Sequence, residues 1–181
     1  MGPIEVIFFT IGLIVALIGV TRGYAKELGS TVLILVGIVV LDFLEDRIDN
    51  VLAAAGAQLL GSDNPEGVRF FQFLVLSLLF IAIVYAGYSG RTLEFSGRPA
   101  PPPQGTLLSI LVGLFNGYLI AGMLWYFLHK YDYPVQALGW MTSTELSPTA
   151  QTLVNYLPLT LFSAPYWMAL LGLLLILRVR G

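Results

Sequence analysis

The 181-residue sequence has no cysteine and a single histidine, and only 11% of its residues carry charge. Without cysteine there is no disulfide, thiolate metal site or thiol nucleophile, and the redox compartment stays open. The one histidine, His129, stands beside Lys130 at a helix end and reads as an interfacial residue, not a ligand. A formal charge of -2 offers no basic surface, which sets nucleic-acid binding aside. The scarcity of charge is the most telling absence, because an ordinary soluble domain carries roughly 25% charged residues. Here 57% of residues are hydrophobic and mean hydropathy is +0.83. A chain this apolar has too few polar groups to cover its own surface in water. The expected fold class is therefore all-α: a polytopic membrane protein of four to five transmembrane helices, forming one membrane domain over 1–181.

A spanning helix needs about 20 mostly apolar residues. Four stretches meet that demand: 3–20, 28–44, 68–88 and 106–128. The start of the chain reads as the first of these spans and not as a cleavable leader, since Glu5 stands where a basic n-region would be. The third follows SDNPEG, where Asn64 can cap and Pro65 suits a first helical position. The fourth ends in WYFLHKY, an interfacial aromatic belt with Lys130 able to snorkel. A fifth stretch, 157–178, is shorter. Its helical part gives only about 21 Å against a core of about 30 Å. It spans if Tyr156 to Ala164 adds depth despite Pro158, and otherwise lies re-entrant or along the surface.

With five spans, Arg22, Lys26, Arg91, Arg98, Arg178 and Arg180 share one side, and Arg47, Arg69 and Lys130 share the other. The positive-inside rule then places the N-terminus outside and the C-terminus in the cytoplasm. On the cytoplasmic side, residues 96–105 form a linker rich in proline, which favours an extended spacer. On the outer side, Glu45 to Leu60 reads as a short amphipathic helix. The second outer loop carries Trp140 and Met141, able to dip into the interface, and Ser147 with Pro148 as another helix start.

One motif occurs twice. GVTRGY, Gly19 to Tyr24, is echoed by GLFNGY, Gly113 to Tyr118. Both hold glycines four apart, Gly19 with Gly23 and Gly113 with Gly117, and both end in tyrosine. Small residues at this spacing let two helices approach closely, which matters in lipid, where apolar surface alone drives no association. In the topology above both glycine pairs fall toward the cytoplasmic leaflet, whereas an inverted transporter repeat would separate them. The expectation is a packing seam between the first and fourth spans, with Asn116 as an interhelical hydrogen-bonding residue. The opening stretch also reads as the cytoplasmic turn between spans one and two, anchored by Arg22 and Lys26.

An apolar helix that runs into Arg-Gly-aromatic, with a glutamate four residues past the glycine, resembles the colicin V production protein family of small bacterial inner-membrane proteins. The matching residues are Arg22, Gly23, Tyr24 and Glu27, supported by the glycine helix Gly113 to Gly117. Family members often carry an arginine within that later helix, where this chain has Asn116. The resemblance covers about residues 1 to 130. It implies an inner-membrane protein linked to colicin V production or export and to envelope homeostasis, with no chemical reaction attached. It also implies that Arg22, Gly23 and Glu27 are functional positions.

No constellation of nucleophile, acid–base pair and metal ligands stands out, so neither an enzyme nor a cofactor is expected. Asp42, Glu45, Asp46 and Asp49 are spread over almost every face of one helix end and read as a solvated surface. Asp42 alone lies where it could enter the bilayer, which makes it a candidate for a proton or ion role, with Arg47 or water as partner. Three classes of function remain: a colicin-V-production-type protein acting through helix–helix contacts, an accessory subunit of a respiratory, photosynthetic or secretory complex, and a small transporter or channel subunit. The expected partners are membrane lipids and other membrane subunits or further copies of the chain.

Overall fold

The computed structural model describes residues 4–89, 95, 101, 103–135 and 146–180. The described residues contain helices and turns and no strand. Among the described residues eight α-helices follow in order: α1 (Ile4–Arg22), α2 (Tyr24–Phe43), α3 (Glu45–Leu60), α4 (Pro65–Ser89), α5 (Gln104–Lys130), α6 (Pro148–Val154), α7 (Pro158–Leu161) and α8 (Ala164–Arg180). Of these, α1, α2, α4 and α5 are long and apolar enough to cross a membrane, and α8 is a shorter apolar helix. The chain is thus a multi-pass helical membrane protein.

α2 and α5 are the inner helices. Ile34, Leu35 and Ile38 of α2 and Leu119 and Met123 of α5 have no exposed surface, and with Phe80 of α4 they form the core. α1 and α4 pack outside them and turn broad apolar faces outward, including Phe9, Leu13 and Leu17 on α1. In water those faces would be a liability; in lipid they are the solvated surface.

The junction between α1 and α2 departs from a turn. Both helices run up to Gly23, which is the single residue between them, with φ 85° and ψ 150°. Only glycine adopts that backbone at no steric cost. The Gly23 N–H still bonds to the Gly19 carbonyl and the Gly23 carbonyl accepts from the Glu27 N–H, so the residue is hydrogen-bonded to both helices. Tyr24 to Glu27 are consequently the first turn of α2, not part of a loop.

At the other end Leu44 joins α2 to α3, which lies against α4: Gly56 rests on Val68 and Phe71. α4 begins at Pro65, and Asn64 accepts a hydrogen bond from the Gly67 N–H at 2.9 Å. Ser147 caps α6 by accepting from the Ala150 N–H, and its hydroxyl donates to Glu5 at the start of α1. Trp125, Tyr133, Ala150, Val154 and Leu157 close this end with a second small core.

The C-terminal apolar stretch is broken in two. Pro158 starts α7, four residues long, and the chain reopens at Phe162 before α8. Pro158 sits against Gly122, about 12 Å below the end of α5 at the helical rise. Irregular backbone at such depth survives only where its polar groups find partners. Here the Trp167 indole N–H lies 3.0 Å from the carbonyls of both Pro158 and Phe162, and the Tyr118 hydroxyl donates to the Tyr156 carbonyl at 2.8 Å. The proline-rich linker falls mostly outside the described residues, as do Trp140 and Met141; Pro103 precedes α5 as its N-cap.

Candidate functional site

The polar residues of the opening motif meet inside the bundle. Glu27, in the first turn of α2, has no exposed surface. Its Oε1 accepts from Arg22 Nη1 at 2.9 Å across the Gly23 junction. Its Oε2 accepts from the Tyr88 hydroxyl of α4 at 3.0 Å and from Asn116 Nδ2 of α5 at 2.9 Å. Asn116 also donates to the Glu27 main-chain carbonyl, and its Oδ1 lies 2.7 Å from the Thr31 hydroxyl. Arg22 Nη1 further donates to Ser30, whose hydroxyl reaches the Gly87 carbonyl. The guanidinium lies 4.4 Å above the centroid of the Tyr88 ring. One carboxylate therefore joins α1, α2, α4 and α5.

An uncompensated charge in this position would cost several kcal/mol, and the arrangement answers that cost with an ion pair, three donors and a cation–π contact. Arg22 keeps 19% of its side chain exposed and is the edge of the cluster that faces outward. Both carboxylate oxygens are engaged, Oε1 by one donor and Oε2 by two. The geometry suits a fixed polar junction better than a base or a proton carrier.

Glycine sets the distance between α1 and α5. A methyl built on Gly19 would stand 2.9 Å from Gly113 Cα, one on Gly113 3.0 Å from Ala16 Cα, and one on Gly117 2.7 Å from the Gly12 carbonyl oxygen. The small stripe on α1 is thus Gly12, Ala16 and Gly19, facing Ser109, Gly113 and Gly117 on α5. Gly23 is not part of it: nothing lies within 4 Å of a Cβ there, because its backbone has left the helix. Tyr24 follows as the first residue of α2.

A second cluster closes the opposite end. The Lys130 ammonium pairs with Glu45 and Asp49 of α3, and the hydroxyls of Tyr126 and Tyr131 donate to Glu45 and Asp49. Burial and the Asp49 hydrogen bond push the Tyr131 phenol up from its ordinary value. Asp42 lies beside this cluster, lining a small cavity with Glu45, Tyr126 and Lys130. Its basic neighbour is Lys130 and not Arg47. Glu45 and Asp49 are accordingly clasp residues rather than a freely solvated face. His129 packs edge-on against Tyr133 at 5.7 Å. Among the described residues no three His, Asp or Glu side chains converge to hold a metal ion.

The opening motif, the glycine seam and the α3 clasp all fall within one stretch that can be compared with known families. The colicin V production protein family matches residues 4–156. The chain belongs to that family. Within the matched stretch it carries Arg22, Gly23, Tyr24 and Glu27 at one junction, with Asn116 donating to Glu27. The family match stops at Tyr156, so α7 and α8 lie beyond it. No curated protein and no solved structure matches the chain.

Sequence reasoning did not identify Ser30, Thr31 or Tyr88 in the buried junction, nor Lys130 as the centre of the clasp. Tyr88 had no visible signal, since its partner is far away in the chain. Glu45 and Asp49 did leave one: acids four apart share a helix face and can grip one cation.

Proposed function

We propose that this colicin V production protein is a non-enzymatic component of the bacterial inner membrane that acts through contacts between helices, in export or envelope homeostasis. The observation that carries this reading is the tie on Glu27: this fully buried carboxylate, its Oε1 held by Arg22 and its Oε2 by Tyr88 and Asn116, joins four helices. Its role is then to fix the mutual placement of four helices whose outer apolar faces meet lipid or other membrane proteins. The N-terminus lies outside and the C-terminus in the cytoplasm, which the distribution of arginine and lysine supports.

Purification in mild detergent tests the reading. A homo-oligomer, or a complex in which Arg22→Ala abolishes association, agrees with it. A stoichiometric, chemically distinct partner retained by Arg22→Ala makes the chain an accessory subunit instead. Flux of ions or protons in liposomes that disappears with Asp42→Asn would replace it with a transporter.

A further inference from the structure

Beside the glycine seam, α1 and α5 leave a groove of about 500 Å³ open toward the lipid. Sites for small molecules run from about 300 to 1,000 Å³. The floor is the backbone of Gly12 and Gly117, packed so closely that a methyl on Gly117 would stand 2.7 Å from the Gly12 carbonyl oxygen. Phe9, Leu13 and Leu114 form the rims and are exposed. Phe8 stands toward α6, packed edge-on against both Phe9 and Trp125 with ring centroids 5.4 Å apart in each pair. Across from it on α5, the Tyr118 hydroxyl is the one polar side-chain group of the lining, and the Tyr156 carbonyl already engages it.

Depth and shape decide what can enter. Gly12 stands about 12 Å from the start of α1 and about 15 Å from its end, near the middle of a hydrocarbon core of about 30 Å. From there to Phe8 the groove covers the half of the bilayer on the side where Ser147 of the α6 cap meets Glu5. A polar ligand would lose its hydration at this depth and meet only apolar side chains. A further helix fits no better. Close approach of transmembrane helices uses small residues on the facing ridges. Here the glycines lie on the floor against each other's backbone, and the ridges carry phenylalanine and leucine. A flexible hydrocarbon chain meets neither obstacle. We propose that the groove is a binding site for one acyl chain of a phospholipid from that leaflet, held in place while the surrounding lipid exchanges. The acyl chain lies along the seam from Leu114 toward Phe8 and supplies the dispersion contacts that the missing side chains of Gly12 and Gly117 do not.

The test is photolabelling of the full chain in phosphatidylglycerol vesicles that contain a phosphatidylcholine with a diazirine midway along one acyl chain. Peptide mapping is expected to find the label concentrated on residues 8–13 and 114–118, in excess over the exposed apolar face of α8 at Leu173 and Ile176. Leu114→Trp and, independently, Leu13→Trp fill the groove from its two rims and should remove that excess while α8 is labelled as before. Even labelling of the groove and α8, or an excess that survives both tryptophan variants, overturns the site. The chain has no cysteine, so Leu13→Cys adds a unique thiol. Disulfide formation between two copies of that variant in the same vesicles would overturn the acyl site in favour of a second copy of the chain.

Discussion

Arg22 and Glu27 stand five residues apart on two different helices, and the guanidinium that joins them also lies over an aromatic ring. Arg22 donates from one nitrogen to Glu27 and Ser30 while its plane covers the Tyr88 ring. An ammonium has the charge and enough donors for both acceptors, but not the plane that covers the ring. Arg22→Lys should therefore lower stability by about 1 to 3 kcal/mol, and Arg22→Ala by about 3 to 5 kcal/mol, because it strands a buried charge. Melting in detergent measures both; a lysine variant with wild-type stability would reduce Arg22 to a topological anchor. Glu27→Gln should be comparably damaging, yet the double variant Arg22→Ala with Glu27→Gln should cost less than the two single changes together. Tyr131 carries a pH dependence of its own. Its phenol is held above the ordinary value of about 10, so its neutral form stabilises the fold fully below that pH. Stability should fall as pH rises past about 10, and Tyr131→Phe should flatten that alkaline limb in melts taken across the range.

The contact between α1 and α5 is made by backbone, and that fixes what a methyl group does there. At Gly117 the obstacle is the main-chain carbonyl of Gly12, which cannot swing aside. Gly117→Ala should cost about 1 to 3 kcal/mol by overpacking, despite the better helix propensity of alanine. Gly172→Ala on α8, where nothing lies within 4 Å, should be neutral or slightly stabilising. Equal melting temperatures for the two variants would remove the seam as a stabilising element. The seam also shows what the sequence could and could not reveal. Long apolar runs made the four candidate spans legible, since hydropathy alone defines them. Gly113 and Gly117 were legible as a pair, but Gly19 with Gly23 was a misleading one. Whether a glycine continues a helix or ends it is decided by a backbone angle, and Gly23 takes the positive φ. The true partners, Gly12 and Ala16, lay in plain view with no charged neighbour to mark them. Tyr88 and Thr31 joined the Glu27 cluster only once the chain had folded, because tertiary distance leaves no trace in local spacing.

For the whole molecule, the two polar clusters lie at opposite ends of the bundle with an apolar core between them. The orientation proposed from the basic residues puts α3 outside and the end of α8 inside. A cysteine replacing the exposed Gln58 on α3 should react with an impermeant maleimide in intact cells, and one replacing Arg178 should react only after lysis. The reverse pattern would invert the protein. The single-residue junction at Gly23 also bears on synthesis. Arg22, Glu27 and Ser30 leave the ribosome within a few residues of one another, so their contacts can form as soon as α1 and α2 enter the bilayer as a pair. Tyr88 and Asn116 are made much later. Until they are made, Oε2 of Glu27 lacks the two donors that hold it in the finished bundle. The four-helix junction can therefore be completed only after α5 has been made.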